Sequence, residues 1–261
     1  MTAVQRRTHN RGGGSDGRTT SRGQPSLRES MRQEQRHKGP RHAGAEMQPV
    51  RLSSAQVRRI YDRIAPIYER RTTPFESRAR ARLLDIVASH GAERILEVAV
   101  GPGTAFAKII GVNSHGLTVG LDISRKMLAE ATTKAHRSGH KPYLLLQADA
   151  RHLPLPGDSF DLVTNSYMLD LLPVEDIRKV LSEFKRVLKP GGSLVLVNMT
   201  HSRALLSRAW EWLYRRNPSL LWGCRAVLAA PFLEELGFAN VQREVITQLT
   251  FPSEVLRASR P

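Results

Sequence analysis

The sequence predicts an α/β protein in which a mostly parallel, seven-stranded sheet carries helices on both faces and follows a disordered basic tail. Three observations lead to this prediction. Short apolar segments typical of strands alternate with segments long enough for helices. Such alternation indicates right-handed crossovers, which make the strands parallel and cover both faces of the sheet. The first fifty residues show neither pattern.

The tail is defined by its composition. Residues 1–50 carry ten Lys and Arg side chains against four acidic ones, few aliphatic side chains and no aromatic ring. They cannot bury enough apolar surface to offset the entropy of ordering. We therefore predict a disordered basic tail over 1–50 and one folded domain over 51–261. A mitochondrial presequence is the alternative, because such segments are also Arg-rich and acid-poor, although this one lacks an amphipathic helical period.

The composition also limits the class of protein. Of the 261 residues, 40% are hydrophobic and 25% charged, as in an ordinary soluble protein with one full-size domain. No uncharged apolar run approaches the length of about 18 residues that a membrane span needs. The single cysteine, Cys224, excludes a disulfide framework and a clustered thiolate metal site, so we expect a cytoplasmic protein without a metal. The net charge of +16 suits contact with anionic lipid or nucleic acid but says nothing about chemistry.

The ordered region is expected to begin with helices. Ser53 or Ser54 is a possible N-cap, because apolar side chains then recur at helical spacing: Val57, Ile60, Tyr61, Ile64 and Tyr68. Pro66 should bend or end this helix. A second helix is predicted over residues 76–89 and should stop at Gly91.

Beyond Gly91 the strands begin. Five are predicted first, namely RILEV (94–98), LTVGLD (117–122), YLLLQAD (143–149), FDLVTNS (160–166) and SLVLVNM (193–199). Helices are predicted between them at 125–136 and 174–188. After an insert, a last helix is predicted over 231–236, which Gly237 stops, and then two final strands over 240–249 and 253–260.

Three acidic residues mark the ends of three successive strands: Glu97, Asp122 and Asp149. In an open parallel sheet, ligands bind beyond the carboxyl ends of the strands, where the strand order reverses. Asp122 follows Glu97 by one βαβ step, and a carboxylate there can accept hydrogen bonds from both hydroxyls of a ribose. Asp149 would face an adenine edge. The three residues together indicate a nucleoside site.

The loop after the first strand bears on the kind of nucleoside. Gly101 and Gly103 let the backbone approach a ligand, but Phe106 stands where a dinucleotide fingerprint has its third glycine. Glu97 beside this loop would repel a pyrophosphate and suits a cation. S-adenosylmethionine is the nucleoside ligand that has a sulfonium, an ammonium and no phosphate.

The sequence as a whole resembles the class I S-adenosylmethionine-dependent methyltransferases, which implies a Rossmann-like fold. The resemblance runs from about Ser53 to the C-terminus. It rests on five motifs in order: YDRIAPIYER (61–70), LEVAVGPGT (96–104), GLDISRKMLAEA (120–131), ADARHLPLPGDSFDLV (148–163) and FKRVLKPGGSLVLVN (184–198). The chain looks most like the branch that holds the quinone-ring C-methyltransferases and the bacterial phosphatidylethanolamine N-methyltransferases. That branch often has alanine at the first loop position, as at Ala99 here.

The resemblance implies an S-adenosylmethionine site built from this loop and the ends of the next strands. The loop and the first strand would hold the methionine moiety through Glu97, Ala99, Gly101 and Gly103. The later strands would hold the nucleoside through Asp122, Met127, Asp149 and Ala150, with Asn165 at the end of the fourth strand. The N-terminal helix would close over the cofactor with Tyr61 and Tyr68, although both could equally be core tyrosines.

Methyl transfer from a sulfonium disperses positive charge, so positioning and exclusion of water can supply much of the acceleration, and no catalytic residue is obligatory. An amine acceptor must be deprotonated, and a base helps a phenol or a ring carbon. The candidate catalytic residues lie at the ends of the fourth and fifth strands: Asn165, Tyr167, Asp170 and His201. Quinone-ring enzymes of this branch usually carry Gly-Leu-Arg-Asn where this chain has Tyr-Met-Leu-Asp at 167–170, which disfavours a quinone.

The insert after the fifth strand bears on the acceptor. Residues 204–216, ALLSRAWEWLYRR, read as a broadly apolar helix that is buried, caps an apolar pocket or lies on a membrane. All three tryptophans of the chain, Trp210, Trp212 and Trp222, lie in this insert among arginines. We expect a small lipophilic or membrane-associated acceptor, a phospholipid amine ahead of a quinone, and peripheral contact with anionic lipid at the inner membrane face.

Two other classes of protein remain as alternatives. An RNA methyltransferase would explain the basic charge, but such enzymes usually carry an RNA-binding appendage that this tail does not contain, so we expect no nucleic-acid partner. A non-catalytic cofactor-binding or scaffold protein would lack intact cofactor residues, yet Glu97, Asp122 and Asp149 are all present. The sequence leaves the oligomeric state open.

Overall fold

A computed structural model describes residues 54–113, 116–139, 141–201, 212, 216 and 225–261, without the side chains of residues 54 and 65–71. The predicted tail and most of the insert lie outside the described residues, so both of these predictions stay predictions. Among the helices that are described, none is long and apolar enough to span a membrane.

One long helix, α1 (Ser54–His90), occupies the region where two helices were predicted. The expectation that the first helix ends at Pro66 is wrong, because α1 continues through this residue. A proline inside a helix costs about 3 kcal/mol. Burial on both sides of the proline offsets this cost, since Tyr61 packs against Met127 and Leu83 lies in the core. Each buried aliphatic side chain contributes about 1.5–3 kcal/mol.

Seven described strands form one sheet in the order β3-β2-β1-β4-β5-β7-β6. Their bounds are β1 Arg94–Val98, β2 Leu117–Asp122, β3 Tyr143–Gln147, β4 Phe160–Ser166, β5 Leu188–Met199, β6 Ala239–Gln248 and β7 Phe251–Ser259. Strands β1 to β5 pair in parallel, and β7 pairs antiparallel with β5 and β6, which confirms the predicted mostly parallel sheet. β1, β2 and β4 have the predicted bounds. β3 ends before Asp149, and β5 begins earlier than predicted.

Four further helices are described between the strands: α2 Thr104–Val112, α3 Arg125–Arg137, α4 Val174–Val187 and α5 Ala230–Glu235. A short 3-10 turn, Leu169–Leu171, follows β4. α3 begins after Ser124, whose Oγ accepts the N–H of Met127 at 3.2 Å and so caps the helix.

Different helices cover the two faces of the sheet, because successive side chains of a strand point to opposite faces. On one face, Leu96 of β1 belongs to the same cluster as Phe184 of α4 and Leu233 of α5. On the other face, Ile95 of β1 packs in a cluster with Leu83 of α1. The strand order reverses between β1 and β4, so the loops that follow these two strands lie where parallel sheets bind ligands.

Candidate cofactor site

The loop between β1 and α2 contains three left-handed backbone positions: Ala99 (φ 60°), Gly101 (φ 53°) and Gly103 (φ 80°). This conformation costs a residue with a side chain, such as Ala99, about 1–2 kcal/mol. Hydrogen bonds hold the loop in place, since Val100 N donates to Leu121 O at 3.1 Å and Gly103 N donates to Val100 O at 3.0 Å. The loop therefore keeps a fixed shape beside the ends of β1 and β2.

Gly103 packs against α3 too closely for a side chain. A Cβ at this position would lie 2.5 Å from the Cα of Ala131. We expect Gly103→Ala to lower the free energy of unfolding by about 2–5 kcal/mol, through left-handed strain and displacement of α3. Gly91→Ala is the matched control, because Gly91 has a φ of 66° but nothing within 4 Å of the added Cβ. Urea denaturation should show the smaller loss for Gly91→Ala, and equal losses would contradict the packing argument.

Asp122, the last residue of β2, is buried and lies in the wall of the main pocket. Its Oδ2 accepts the N–H of Gly101 at 2.9 Å, and its Oδ1 accepts the N–H of Ser124 at 2.8 Å. Burial raises the pKa of Asp122, and these backbone donors oppose the rise. The carboxylate has four lone pairs in all and accepts hydrogen bonds from the backbone of Gly101, Ser124 and Ile123, so it retains acceptor capacity for a ligand. An oriented carboxylate at this strand end suits the paired hydroxyls of a ribose.

A second carboxylate near this position, Asp62 of α1, was missed by the sequence analysis. The Oγ of Ser124 donates a hydrogen bond to Oδ1 of Asp62, which ties α1 to the N-terminus of α3. The neighbouring Tyr61 lines the pocket and packs against Met127. These contacts place the first turns of α1 beside the pocket. The side chain of Tyr68 lies outside the described residues.

Glu97 lies in β1 next to its carboxyl end and is only 2% exposed. Its Oε2 has no hydrogen-bond partner among the described residues. Burial raises the pKa of Glu97 to about 8, with a smaller contribution from Asp122 and against the opposing charge of Arg80. A buried carboxyl group with an open acceptor favours a cationic ligand, because an opposite charge stabilises its ionised form.

Asp149 lies beyond β3 and lines the pocket together with Ala150 and Arg151. The guanidinium of Arg151 donates two hydrogen bonds to the Asp149 carboxylate, from Nε to Oδ1 at 3.0 Å and from Nη2 to Oδ2 at 2.6 Å. Its Nη1 reaches Oδ2 of Asp176 in α4 at 2.9 Å. The hydrogen bonds from Arg151 hold the pKa of Asp149 below its usual value. An adenine amino group would therefore share Asp149 with Arg151, a residue that the sequence analysis did not assign to the site.

The pocket between these groups has a volume of about 920 Å³, part of it open to solvent. Ile123, Leu171 and Leu172 give it apolar walls, which suit a flat purine ring. Of the predicted site residues, the wall contains Tyr61, Ala99, Gly101, Asp122, Asp149, Ala150 and Tyr167. The predicted residues outside the wall are Glu97, Gly103, Met127, Asn165, Asp170 and His201.

Tyr167 lines the pocket, but its hydroxyl group is bound elsewhere. Its Oη shares a hydrogen bond with Ser253 Oγ at 2.7 Å, and the Arg80 guanidinium lies 5.6 Å from the ring centre. Burial raises the pKa of Tyr167, and the charge of Glu76 adds to the rise. The phenol is therefore neutral near pH 7 and cannot act as a phenolate base. The backbone of Tyr167 is left-handed (φ 54°), a strain that clusters at functional sites.

The structure does not bring the other three catalytic candidates together in the pocket. Asp170 is fully buried, accepts the N–H of Met199 at 2.9 Å, and has a pKa that burial raises well above its usual value. Asn165 is also fully buried and donates from Nδ2 to Val98 O at 2.7 Å. His201 is partly buried just beyond the end of β5.

Ser166, the last residue of β4, was missed by the sequence analysis. It lines the pocket, and its buried Oγ has no hydrogen-bond partner among the described residues. Most buried polar side-chain atoms have a partner, so an open hydroxyl in a pocket wall fits a ligand atom. The feature of the sequence that could have pointed to Ser166 is its position at a predicted strand end, beside Asn165.

Comparisons with known proteins point to one class of enzyme. The family described as a methyltransferase domain matches residues 95–192. The chain is 34% identical over 217 residues to a demethylmenaquinone methyltransferase from Clavibacter sepedonicus, which covers 74% of this chain and 86% of that protein. It is also 34% identical over 148 residues to a phosphatidylethanolamine N-methyltransferase from Cereibacter sphaeroides, which covers 54% of this chain and 70% of that protein.

A solved structure shares the fold. The N-methyltransferase NodS from Bradyrhizobium japonicum WM9, in complex with S-adenosyl-L-homocysteine, superimposes with a TM-score of 0.54 and 17% identity. The similarity covers 70% of this chain and 87% of that chain. At this identity the likeness bears on the fold alone.

Proposed function

Because the chain belongs to the class I S-adenosylmethionine-dependent methyltransferases, we propose that it methylates a small lipophilic acceptor held in a membrane. A phospholipid amine is the first candidate acceptor, and a quinone ring is the second. The observation that carries the cofactor site is the Asp122 carboxylate in the pocket wall, which the backbone of Gly101 and Ser124 orients. The membrane acceptor rests on the exposed Trp212 and on the names of the relatives.

The nucleoside half of the cofactor fits the described pocket. Asp122 would accept hydrogen bonds from both ribose hydroxyls, and the apolar side chains of Ile123 and Leu172 would contact the adenine. The Ala150 amide and the Asp149 carboxylate would bind the adenine edge, with Arg151 holding the carboxylate in place.

The methionine half fits the loop after β1. Its ammonium and sulfonium groups are positive, and the open Oε2 of Glu97 is the buried acceptor nearest to this loop in the sequence. The left-handed backbone at Gly101 and Gly103 would face the amino-acid group. Tyr61 with Met127 and the open Oγ of Ser166 are further contacts that we assign to the cofactor.

When bound, the cofactor supplies an electrophilic methyl group whose positive charge disperses during transfer. The contribution of the chain is to orient the acceptor in line with that group and to exclude water. An amine acceptor must first lose a proton. Neither Tyr167 nor Asp170 suits this role, because the Tyr167 hydroxyl is hydrogen-bonded to Ser253 and Asp170 is fully buried outside the pocket wall. His201 remains the candidate for contact with the acceptor, whereas Asn165 is fully buried and its amide donates to Val98 O.

The acceptor proposal is supported by the surface of the insert. Trp212 is helical and 62% exposed, and Arg216, four residues later, is helical and exposed as well. An exposed tryptophan beside a cation is typical of a membrane interface. We propose that the protein is cytoplasmic and makes peripheral contact with anionic lipid. Trp210 and Trp222 lie outside the described residues.

The ranking of the two acceptors rests on opposing observations. The Tyr-Met-Leu-Asp sequence at 167–170 departs from the pattern of quinone-ring enzymes and favours the amine. Asp170 itself gives no support to an amine, because it is fully buried and cannot pair directly with an ammonium headgroup. The quinone is nevertheless kept as a candidate, in second place, because the relative named for a quinone precursor matches more of the chain than the relative named for a phospholipid amine.

The test is transfer of a labelled methyl group by the full-length protein. The acceptors are phosphatidylcholine vesicles with phosphatidylethanolamine, the same vesicles with a demethylated quinone, and total RNA. We expect label in the lipid phase, first on phosphatidylethanolamine, and strongly reduced transfer by Asp122→Ala at limiting S-adenosylmethionine. Label on the quinone alone would reverse the ranking. Label only on RNA or on a water-soluble product would refute the lipophilic acceptor.

A further inference from the structure

The turn between β6 and β7 combines two unfavourable features. Its two central residues, Leu249 and Thr250, both have left-handed backbones, with φ of 46° and 68°. Such two-residue turns favour Asn and Gly, because larger side chains are strained there. Leu249 is also 65% exposed, the largest exposure among the large hydrophobic side chains of the described residues. Neither the backbone nor burial explains a leucine at this position.

The turn lies at the same end of the sheet as the cofactor site, beside the carboxyl ends of the parallel strands. Met199 at the carboxyl end of β5 pairs with Ser253 of β7, and Thr200 N donates to Pro252 O at 3.0 Å. The side chain of Gln248 fixes the turn to α1, because its Oε1 accepts the N–H of Arg78 at 2.8 Å and its Nε2 donates to Pro74 O at 2.6 Å. Leu249 therefore projects from a turn whose position is fixed by hydrogen bonds to α1.

The described residues that flank the insert containing Trp212 lie at the same end of the sheet. Its preceding residue, His201, follows β5, and beyond it Val227 N donates to Met199 O at 2.9 Å. The described residues on either side of the insert, His201 and Val227, thus lie at the carboxyl ends of the parallel strands. An exposed leucine in the turn and an exposed tryptophan in the insert, with the exposed cations Arg78 and Arg216, suit contact with a surface that is apolar inside and anionic outside.

We propose that Leu249 and Trp212 form a single membrane-contacting surface, in which both side chains enter an anionic bilayer. This deepens the proposed function, on which it rests for the membrane acceptor. The surface lies close to the site, because the ring of Phe251 lies 6.2 Å from that of Tyr167, which lines the pocket. An acceptor could therefore reach the pocket edge without crossing bulk water.

The decisive variant is Leu249→Asn, because asparagine tolerates the left-handed backbone while it removes the apolar side chain. We expect unchanged or higher thermal stability but about tenfold weaker binding to vesicles of phosphatidylcholine with phosphatidylglycerol. Leu144→Thr is the matched control, since Leu144 is 46% exposed but lies on β3, at the far side of the sheet order. It should bind these vesicles like the unmodified protein. Binding should also weaken with salt and on vesicles of phosphatidylcholine alone.

Several outcomes would overturn the proposal. Equal vesicle binding by Leu249→Asn and the unmodified protein would exclude the turn from the surface. Loss of a dimer in light scattering with unchanged vesicle binding would identify the turn as a contact between copies of the chain. The same experiments test the proposed function independently. If vesicle binding depends on Leu249 but no lipophilic acceptor is methylated, the membrane-contacting surface is supported and the proposed lipophilic acceptor is refuted. Titration with S-adenosylhomocysteine should give the same affinity for all three proteins.

Discussion

Asp122→Ala is expected to weaken S-adenosylmethionine binding about 100-fold. The variant removes the acceptor of two ribose hydrogen bonds, and each hydrogen bond to a charged group contributes about 1.5 kcal/mol or more. It also releases the N–H groups of Gly101 and Ser124, which Asp122 orients in the structure. Isothermal titration with S-adenosylmethionine measures the loss directly.

Two further variants separate binding from folding. Asp122→Asn keeps the shape and one acceptor oxygen, so we expect an intermediate loss of about tenfold. Asp85→Ala removes an exposed carboxylate of α1 and should leave the affinity unchanged. If Asp122→Ala binds like the unmodified protein while its thermal denaturation is normal, Asp122 does not contact the ribose.

Glu97→Gln is expected to abolish a strong pH dependence of cofactor binding. The pKa of Glu97 is about 8 in the folded protein, and a cationic ligand favours the ionised carboxylate. Binding should therefore release a proton below pH 8, and the affinity of the unmodified protein should rise by up to about tenfold per pH unit until pH 8. The glutamine variant should bind weakly and equally at all these pH values. Titration in buffers of different ionisation enthalpy counts the released proton.

Ionisation of the Glu97 carboxyl group should strengthen cofactor binding but lower the stability of the cofactor-free protein. Its folded-state pKa of about 8 lies above the ordinary value of 4.5. Its stabilising contribution is complete below pH 4.5 and is lost as the pH rises to about 8, by about 1.4 kcal/mol per pH unit, because the unfolded chain ionises first. Without cofactor, Glu97→Gln should therefore be more stable than the unmodified protein near pH 8. Equal unfolding free energies of the two proteins at that pH would refute the raised pKa.

The strands and the loop that build the cofactor site could be predicted from the amino-acid sequence alone. The bounds of β1, β2 and β4 agree with those predicted, because short apolar runs bounded by turn residues are a local property of the chain. The left-handed positions Gly101 and Gly103 follow from the same local chemistry. Pro66 is the exception, because its sequence signal for a helix end is strong and yet α1 is a single helix. Packing of residues on both sides of the proline outweighs the local cost.

Which side chains of the site are available to a ligand could not be predicted from the sequence, because it depends on tertiary contacts. Tyr167 and Asp170 follow β4 as predicted, yet Ser253 binds the tyrosine hydroxyl and Met199 donates to the aspartate. These partners are distant in the sequence, and burial, which raises both pKa values, is a property of the packed core. The open Oγ of Ser166 was hidden for the same reason, because no local pattern distinguishes a paired hydroxyl from an unpaired one.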